Sequence, residues 1–246
     1  MARKTLYLYM FIFLVLLSAC APEPPSPIRP GLNISTQETT ETNMAMGWFK
    51  CRFKIHWPEN TRINFTADLL IAHAIIKPLL TDHSRDIQLW RFHRRAARDR
   101  SGHQFSFMVY TDERTAQSVM SDLEKHPVLD SALNHGLIEK VIMDKPSRSR
   151  NPRIEDTSDR SWSPAMQRHW PAYIMGVSAL WLGLIDEALA DQPVDGLDIP
   201  AMLERYGNAE SAITHLWHNE GQHALLHHLN AIFGYEPMMI KKRLTF

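Results

Sequence analysis

From Phe49 to Trp57 the chain alternates apolar and other residues one for one: FKCRFKIHW. Only extended backbone has a side-chain period of two, so this stretch predicts a strand with one buried face and one cationic face. The full strand is read as Trp48 to Trp57, and Pro58 ends it. A strand like this is stable only if other strands pair with it and something apolar covers its buried face. The next hundred residues supply both. Ile87 to Ala97 alternates again, with Leu89, Arg91, His93 and Arg95 set against Trp90, Phe92, Arg94 and Ala96. The turn residues Asp99-Arg100-Ser101-Gly102 follow, then HQFSFMVY from His103 to Tyr110, so the two strands form a hairpin. Leu137 to Met143, LIEKVIM, is the last strand.

Two helical segments sit between these strands. Thr66-Ala67-Asp68 opens an apolar run from Leu69 to Leu80 at helical spacing, which Pro78 is expected to end or kink. Thr111 is expected to cap a second helix with Ala116, Val119, Met120 and Leu123 on its inner side. The order is strand, helix, strand, strand, helix, strand. It predicts an α+β fold with a ferredoxin-like βαββαβ unit over residues 48–144.

Residues 145–162 are polar and rich in helix breakers, and read as a linker. A helical unit, residues 163–246, is expected to pack on the first. Ser163-Pro164 starts a helix in which Trp170 to Ile185 is apolar on nearly all sides. That pattern predicts a helix buried by its neighbours, or covered by a partner protein, and the run falls short of membrane-spanning length. Asp198-Ile199-Pro200 is expected to start a short helix closed by Gly207. Asn208 then caps a last long helix, which Gly234 ends.

The N-terminal part has a different character. Arg3 and Lys4 precede an apolar run, Leu6 to Leu17, too short to span a bilayer, and then comes Leu17-Ser18-Ala19-Cys20. The tetrapeptide resembles the bacterial lipobox. The resemblance covers only this leader. It implies a signal peptide at residues 1–19 and a lipidated Cys20 as the mature N-terminus. With Ala21 rather than aspartate after the cysteine, it also implies anchoring in the outer membrane with the body in the periplasm. Several acyl chains hold where one is marginal. Residues 20–47, with APEPPSPIRP and STQETTETN, read as a disordered tether. If Cys20 is lipidated, Cys51 is left without a partner, which excludes a disulfide framework.

The chain has 27 basic and 27 acidic side chains, so it has no field that would seek a polyanion, and nucleic acid is not expected as a partner. There is no glycine-rich phosphate loop, CxxC pair, CxxCH or GxSxG. HNEGQH, from His218 to His223, is not the HExxH of zinc proteases, because its glutamate is displaced and its histidines are five apart.

Two groups of residues point to chemistry. The first lies on the last helix. At about 100° per residue, Glu220, His223 and His227 fall near the apolar line of Ile213, Trp217, Ala224 and Ala231, whereas His215 and His218 point away. A carboxylate on an inward face needs a cation or a hydrogen-bonding partner. Glu220, His223 and His227 are therefore the candidate ligands for a divalent metal, with help from His169, Asp186 or Glu187. Glu220 and His227 are about 10.5 Å apart along the axis, so one ion would take Glu220 with His223, or His223 with His227. The alternative is a polar pin, Glu220 bonded to Arg205, Trp170 or a histidine. The second group is the basic cluster on the hairpin. Its members Arg91, Arg94 and Arg95 are candidates for binding an anion, because a guanidinium fork matches carboxylate geometry. Asp86, Asp99, Asp112 and Glu113 are acidic neighbours that could instead make it a solvated face.

The functional expectation is a lipid-anchored envelope protein with a binding or scaffolding role. The alternative is a metal-binding protein or metal-dependent enzyme centred on the last helix.

Overall fold

A computed structural model describes residues 45–145 and 151–237. The leader, Cys20 and nearly all of the tether lie outside the described residues. The fold is α+β, built on a four-stranded antiparallel sheet of order β2-β3-β1-β4. The strands are β1 (Met46–Ile55), β2 (Leu89–Ala96), β3 (His103–Asp112) and β4 (Ile138–Met143). In the register, Phe49 pairs with Val109, Cys51 with Phe107 and Phe53 with Phe105, and Phe92 of β2 pairs with Phe107. Paired residues share a face, so these apolar side chains all lie on one side. The basic residues of β1 lie on the other, as the alternation predicts.

The apolar side is covered by two helices. The first is α1 (residues 66–82), which supplies Leu69, Leu70, Ile71, Ile75 and Ile76. The second is α2 (Glu113–Glu124), which supplies Val119 and Leu123. Each fully buried aromatic or branched side chain contributes roughly 1.5–3 kcal/mol relative to leaving it in water. Pro78 does not end α1. The backbone instead widens into a π-helical segment, Ile71–Ile76, just before it, and the Lys77 N–H bonds back to the Ala72 carbonyl. The cap of α2 is Asp112, which accepts from the Thr115 N–H at 2.9 Å. Thr111, expected in that role, donates its hydroxyl to the Asp86 carbonyl. A short helix that the sequence did not suggest, α3 (Pro127–Asn134), precedes β4.

Residues 151–162 do not behave as a free linker. They lie along the other face of the sheet, where the Trp48 indole donates to the Ile154 carbonyl at 2.8 Å and Tyr110 Oη donates to the Pro152 carbonyl at 2.9 Å. Helix α4 (Pro164–Leu189) follows, with Ser163 capping it. Its Pro171 has no N–H to offer the Gln167 carbonyl one turn back, and the Ser158 hydroxyl fills that place at 2.7 Å. Helix α4 also covers the open edge of the sheet. The Phe92 N–H, which no strand receives, donates to Ser178 Oγ at 3.1 Å.

Two expectations for the helical half are overturned. Gly207 does not close a helix: the chain runs on as one helix, α5 (Ile199–Gly221, π-helical Gln222–His227, then His228–Ile232), capped by Asp198. A Cβ at Gly207 would lie 4.0 Å from Thr66 Oγ1, where α5 rests on α1. Gly234 does end it, at φ +77°. In addition, α4 is not buried by its neighbours. Tyr173, Val177 and Leu180 are exposed, and only 22% of its most apolar window is covered. At 26 residues it is, by length and composition alone, long and apolar enough to cross a membrane. All described residues belong to one compact unit.

Candidate functional site

The last helix does not carry a buried site. Glu220, His223 and His227 are exposed, because α5 runs past the body after its buried stretch through Ala209 and meets no covering element there among the described residues. The Arg205 guanidinium bonds Gln192 at 3.1 Å rather than Glu220, and Asp186 faces α1. The π-helical turn does something a regular helical wheel misses. It brings His228 beside His223, with ring centroids 5.1 Å apart, while His223 and His227 stack at 5.1 Å. Among the described residues, no group of three or more His, Cys, Asp or Glu side chains forms a set that could hold a metal ion.

The pleat of β2 divides the arginine cluster. Arg91 and Arg95 point to the far face, and Arg94 points to the helix-covered face, where it sits in register with Phe105. Arg95 is tied to Asp99 in the hairpin turn. Arg98 lies over the Trp57 ring at 3.5 Å and donates to the Thr61 carbonyl at 2.9 Å. A guanidinium on the core side needs a counter-charge, and α1 provides one. Asp68, in the first turn of that helix, is fully buried, and its Oδ2 accepts from Arg94 Nε at 2.7 Å. Its Oδ1 lies 2.8 Å from Nε2 of His103, also fully buried. That second contact has the distance of an ion pair but not the alignment of a hydrogen bond, and His103 Nδ1 has no partner of its own. Burying a carboxylate is costly unless it is paired. The two cationic-type neighbours offset that cost and hold Asp68 in one position.

Two aromatic rings hold Arg94 as well. Its guanidinium carbon is 4.7 Å from the Phe65 ring centre and 4.9 Å from that of Trp181. Only Nε is used by Asp68, and no hydrogen bond engages the two Nη groups among the described residues. The side chain is 33% exposed, and it borders a cleft of about 610 Å³. The other walls are Ile63, Phe65, Leu69, Trp181 and Glu210. Glu210 accepts from Thr66 Oγ1 at 2.6 Å. The result is a guanidinium fork of fixed orientation at the edge of an apolar hollow. Such a hollow can bind and orient an anionic head with an apolar body.

A second, half-buried network lies where α1, α4 and α5 meet. His73 Nδ1 is 2.8 Å from Tyr206 Oη, and Nε2 is 2.9 Å from Asp186 Oδ1, which also pairs with Lys77. Burial holds His73 below the ordinary histidine value, against the opposing pull of Asp186. Burial also pushes the Tyr206 phenol up. Its members come from α1, α4 and α5, so it works as a polar tie between three helices.

Sequence reasoning named Arg94 but not Asp68, His103 or His73 as its equals. The available signal was a charged residue in the first turn of an otherwise apolar helix, which must meet a partner once that turn is buried. No protein-family model, curated protein or solved structure matches this chain.

Proposed function

We propose that this chain is a lipid-anchored envelope protein that binds a small amphiphilic carboxylate in the cleft at Arg94. The observation that carries the reading is the unused Nη fork of Arg94, held by Asp68 behind it and by Phe65 and Trp181 on its flanks. A pre-set fork loses little freedom when a ligand binds, so its hydrogen bonds go into affinity. The apolar walls favour a hydrocarbon tail or ring. The lipobox-like Leu17-Ser18-Ala19-Cys20 supports the anchor, with the body held in the periplasm at the outer membrane. The βαββαβ unit is read as ferredoxin-like. What supports this is the strand order, which taken from the β4 edge runs 4-1-3-2 with antiparallel neighbours, although α3 is extra.

Calorimetry on the full-length chain in a neutral detergent tests the reading, using octanoate and its uncharged counterpart octanol. Octanoate should bind, octanol should bind at least about tenfold more weakly, and Arg94→Gln should remove the difference. Octanoate binding that is absent, or indifferent to Arg94→Gln, would end this reading. For the anchor, Cys20→Ala should abolish incorporation of labelled palmitate, and unchanged labelling would remove the lipoprotein assignment.

The scaffolding role rests on a separate observation. Tyr173, Val177 and Leu180 on α4, with Trp217, Leu226 and Phe233 on α5, leave large apolar side chains in water. Cross-linking in intact cells through a photoreactive residue at position 177 should trap an envelope protein, and a clean monomer band would argue against this role.

A further inference from the structure

The far face of the sheet carries a second feature, and it owes nothing to the cleft at Arg94. The register lines up Lys50, Met108 and Arg91 in one row across β1, β3 and β2, and Arg52, Ser106 and His93 in the next. With strands about 4.8 Å apart, the two cations of the first row flank Met108 at roughly 10 Å between backbones. Four basic side chains thus share one small area.

Nearby carboxylates form no salt bridge with them among the described residues. Asp144 lines the same hollow, but its Oδ2 accepts from the Lys50 backbone N–H at 3.1 Å. Asp159 also lines it, and it accepts from Ser161 N and Oγ at 2.8 and 2.7 Å. Arg95 is held by Asp99, and Lys54 by Glu139 at 2.8 Å. Among the described residues, no salt bridge joins Lys50, Arg52, Arg91 or His93 to a carboxylate. Arg91 is 91% buried, and among the described residues its guanidinium makes one hydrogen bond, from Nη2 to the Thr157 carbonyl at 2.9 Å. Arg91 Nε and Arg52 Nε are both out of water, with no acceptor among the described residues. A buried charged donor left unpaired is costly. Something that accepts hydrogen bonds and carries negative charge would lift that cost.

The hollow over these residues has a volume of about 490 Å³, with Trp48, Trp162 and Trp170 along its rim. We propose that Lys50, Arg91 and His93 form a binding site for a phosphate-class anion. Phosphate suits the geometry better than carboxylate does. The donors are three separate groups from two strands, so they match an anion with several oxygens and more than one charge. The protonation energetics point the same way. Lys50 is held below the ordinary lysine value, first by burial and then by Arg52 and Arg91, against the opposing pull of Asp144. His93 is held down by burial, then by Arg91, Lys50 and Arg95. A bound anion reverses the repulsive part of both. The groups that set this balance are Lys50 and Arg52 on β1, Arg91 and Arg95 on β2, and Asp144 and Asp159 in the segments over them.

The anion could be a free phosphate or the headgroup of a lipid, and one experiment separates the two. Calorimetry on the full-length chain in a neutral detergent uses inorganic phosphate, glycerol 3-phosphate and the phosphodiester glycerophosphoglycerol, with acetate as the control. Phosphate or one of its esters should bind at least about tenfold more tightly than acetate, the scale of one charge-assisted hydrogen bond. Preference for the diester assigns a phospholipid headgroup, and preference for inorganic phosphate assigns the soluble ion. Lys50→Gln and Arg91→Gln should each weaken binding about tenfold, while Arg100→Gln, the same charge change at the hairpin tip, leaves it unchanged. If Arg91→Gln does not fold, Lys50→Gln, at a partly exposed strand position, carries the test. Carbon-13 NMR of His93 provides a second readout, with its titration midpoint rising on binding. Phosphate compounds that bind no better than acetate, or an equal loss in Arg100→Gln, would overturn the proposal.

Discussion

Asp68 and Arg94 meet at 2.7 Å across the interior, one from the first turn of a helix and the other from an edge strand. The pair joins the two layers of the fold at the point where the cleft begins. Asp68→Ala removes the counter-charge and leaves Arg94 and His103 facing each other, so it should destabilise the chain by about 3–5 kcal/mol. Asp68→Leu with Arg94→Met should recover much of that loss, because a packed apolar pair needs no partner. Urea unfolding of the two single variants and the double variant would measure the coupling, and additive losses would mean that the pair is not energetically linked.

Ser178 receives the Phe92 N–H of the edge strand and passes its own hydrogen to the Ile174 carbonyl at 2.8 Å. Ser178→Ala strands a buried N–H and should cost about 1–3 kcal/mol. Amide exchange at Phe92 should speed up in the variant. Exchange as slow as in the parent would mean that α4 does not close the sheet edge.

The half-buried imidazole of His73 sets a pH dependence. Its folded-state value lies below the unfolded one, so above the ordinary histidine range both states are neutral and nothing is lost. As pH falls through that range the unfolded chain takes up the proton first, and stability drops. The denaturation midpoint should therefore fall between pH 8 and pH 5, and by less in His73→Gln. An equal drop in both proteins would place the sensitivity elsewhere, with His93 and His126 the next groups to test because both are also held down by burial.

Cys51 is fully buried in the middle of the sheet, and burial pushes its thiol well above the ordinary range. It should resist a thiol reagent in the folded protein and react at once in denaturant. Rapid labelling under native conditions would show that the sheet opens.

The exposed histidines of α5 give the opposite kind of prediction. His223→Ala and His227→Ala should each change stability by no more than about 0.5 kcal/mol, as exposed positions usually do. A larger loss would restore the idea that this stretch is packed.

The alternation in two segments determined β1 and β2, and with it which of their residues share a face. That is local stereochemistry, readable wherever one face must be dry. It placed Phe49, Phe53 and Phe92 in the core, and it already separated Arg94 from Arg91 and Arg95. The tertiary structure alone decided what each face would meet. Asp68, Arg94 and His103 are brought together from a helix and two strands, and nothing in their spacing announces it. The helical wheel of α5 gave an inward side correctly only where α1 lies beneath it. Past Ala209 the same periodicity points Trp217 and Glu220 into water, because amphipathicity names a face but not the neighbour that covers it.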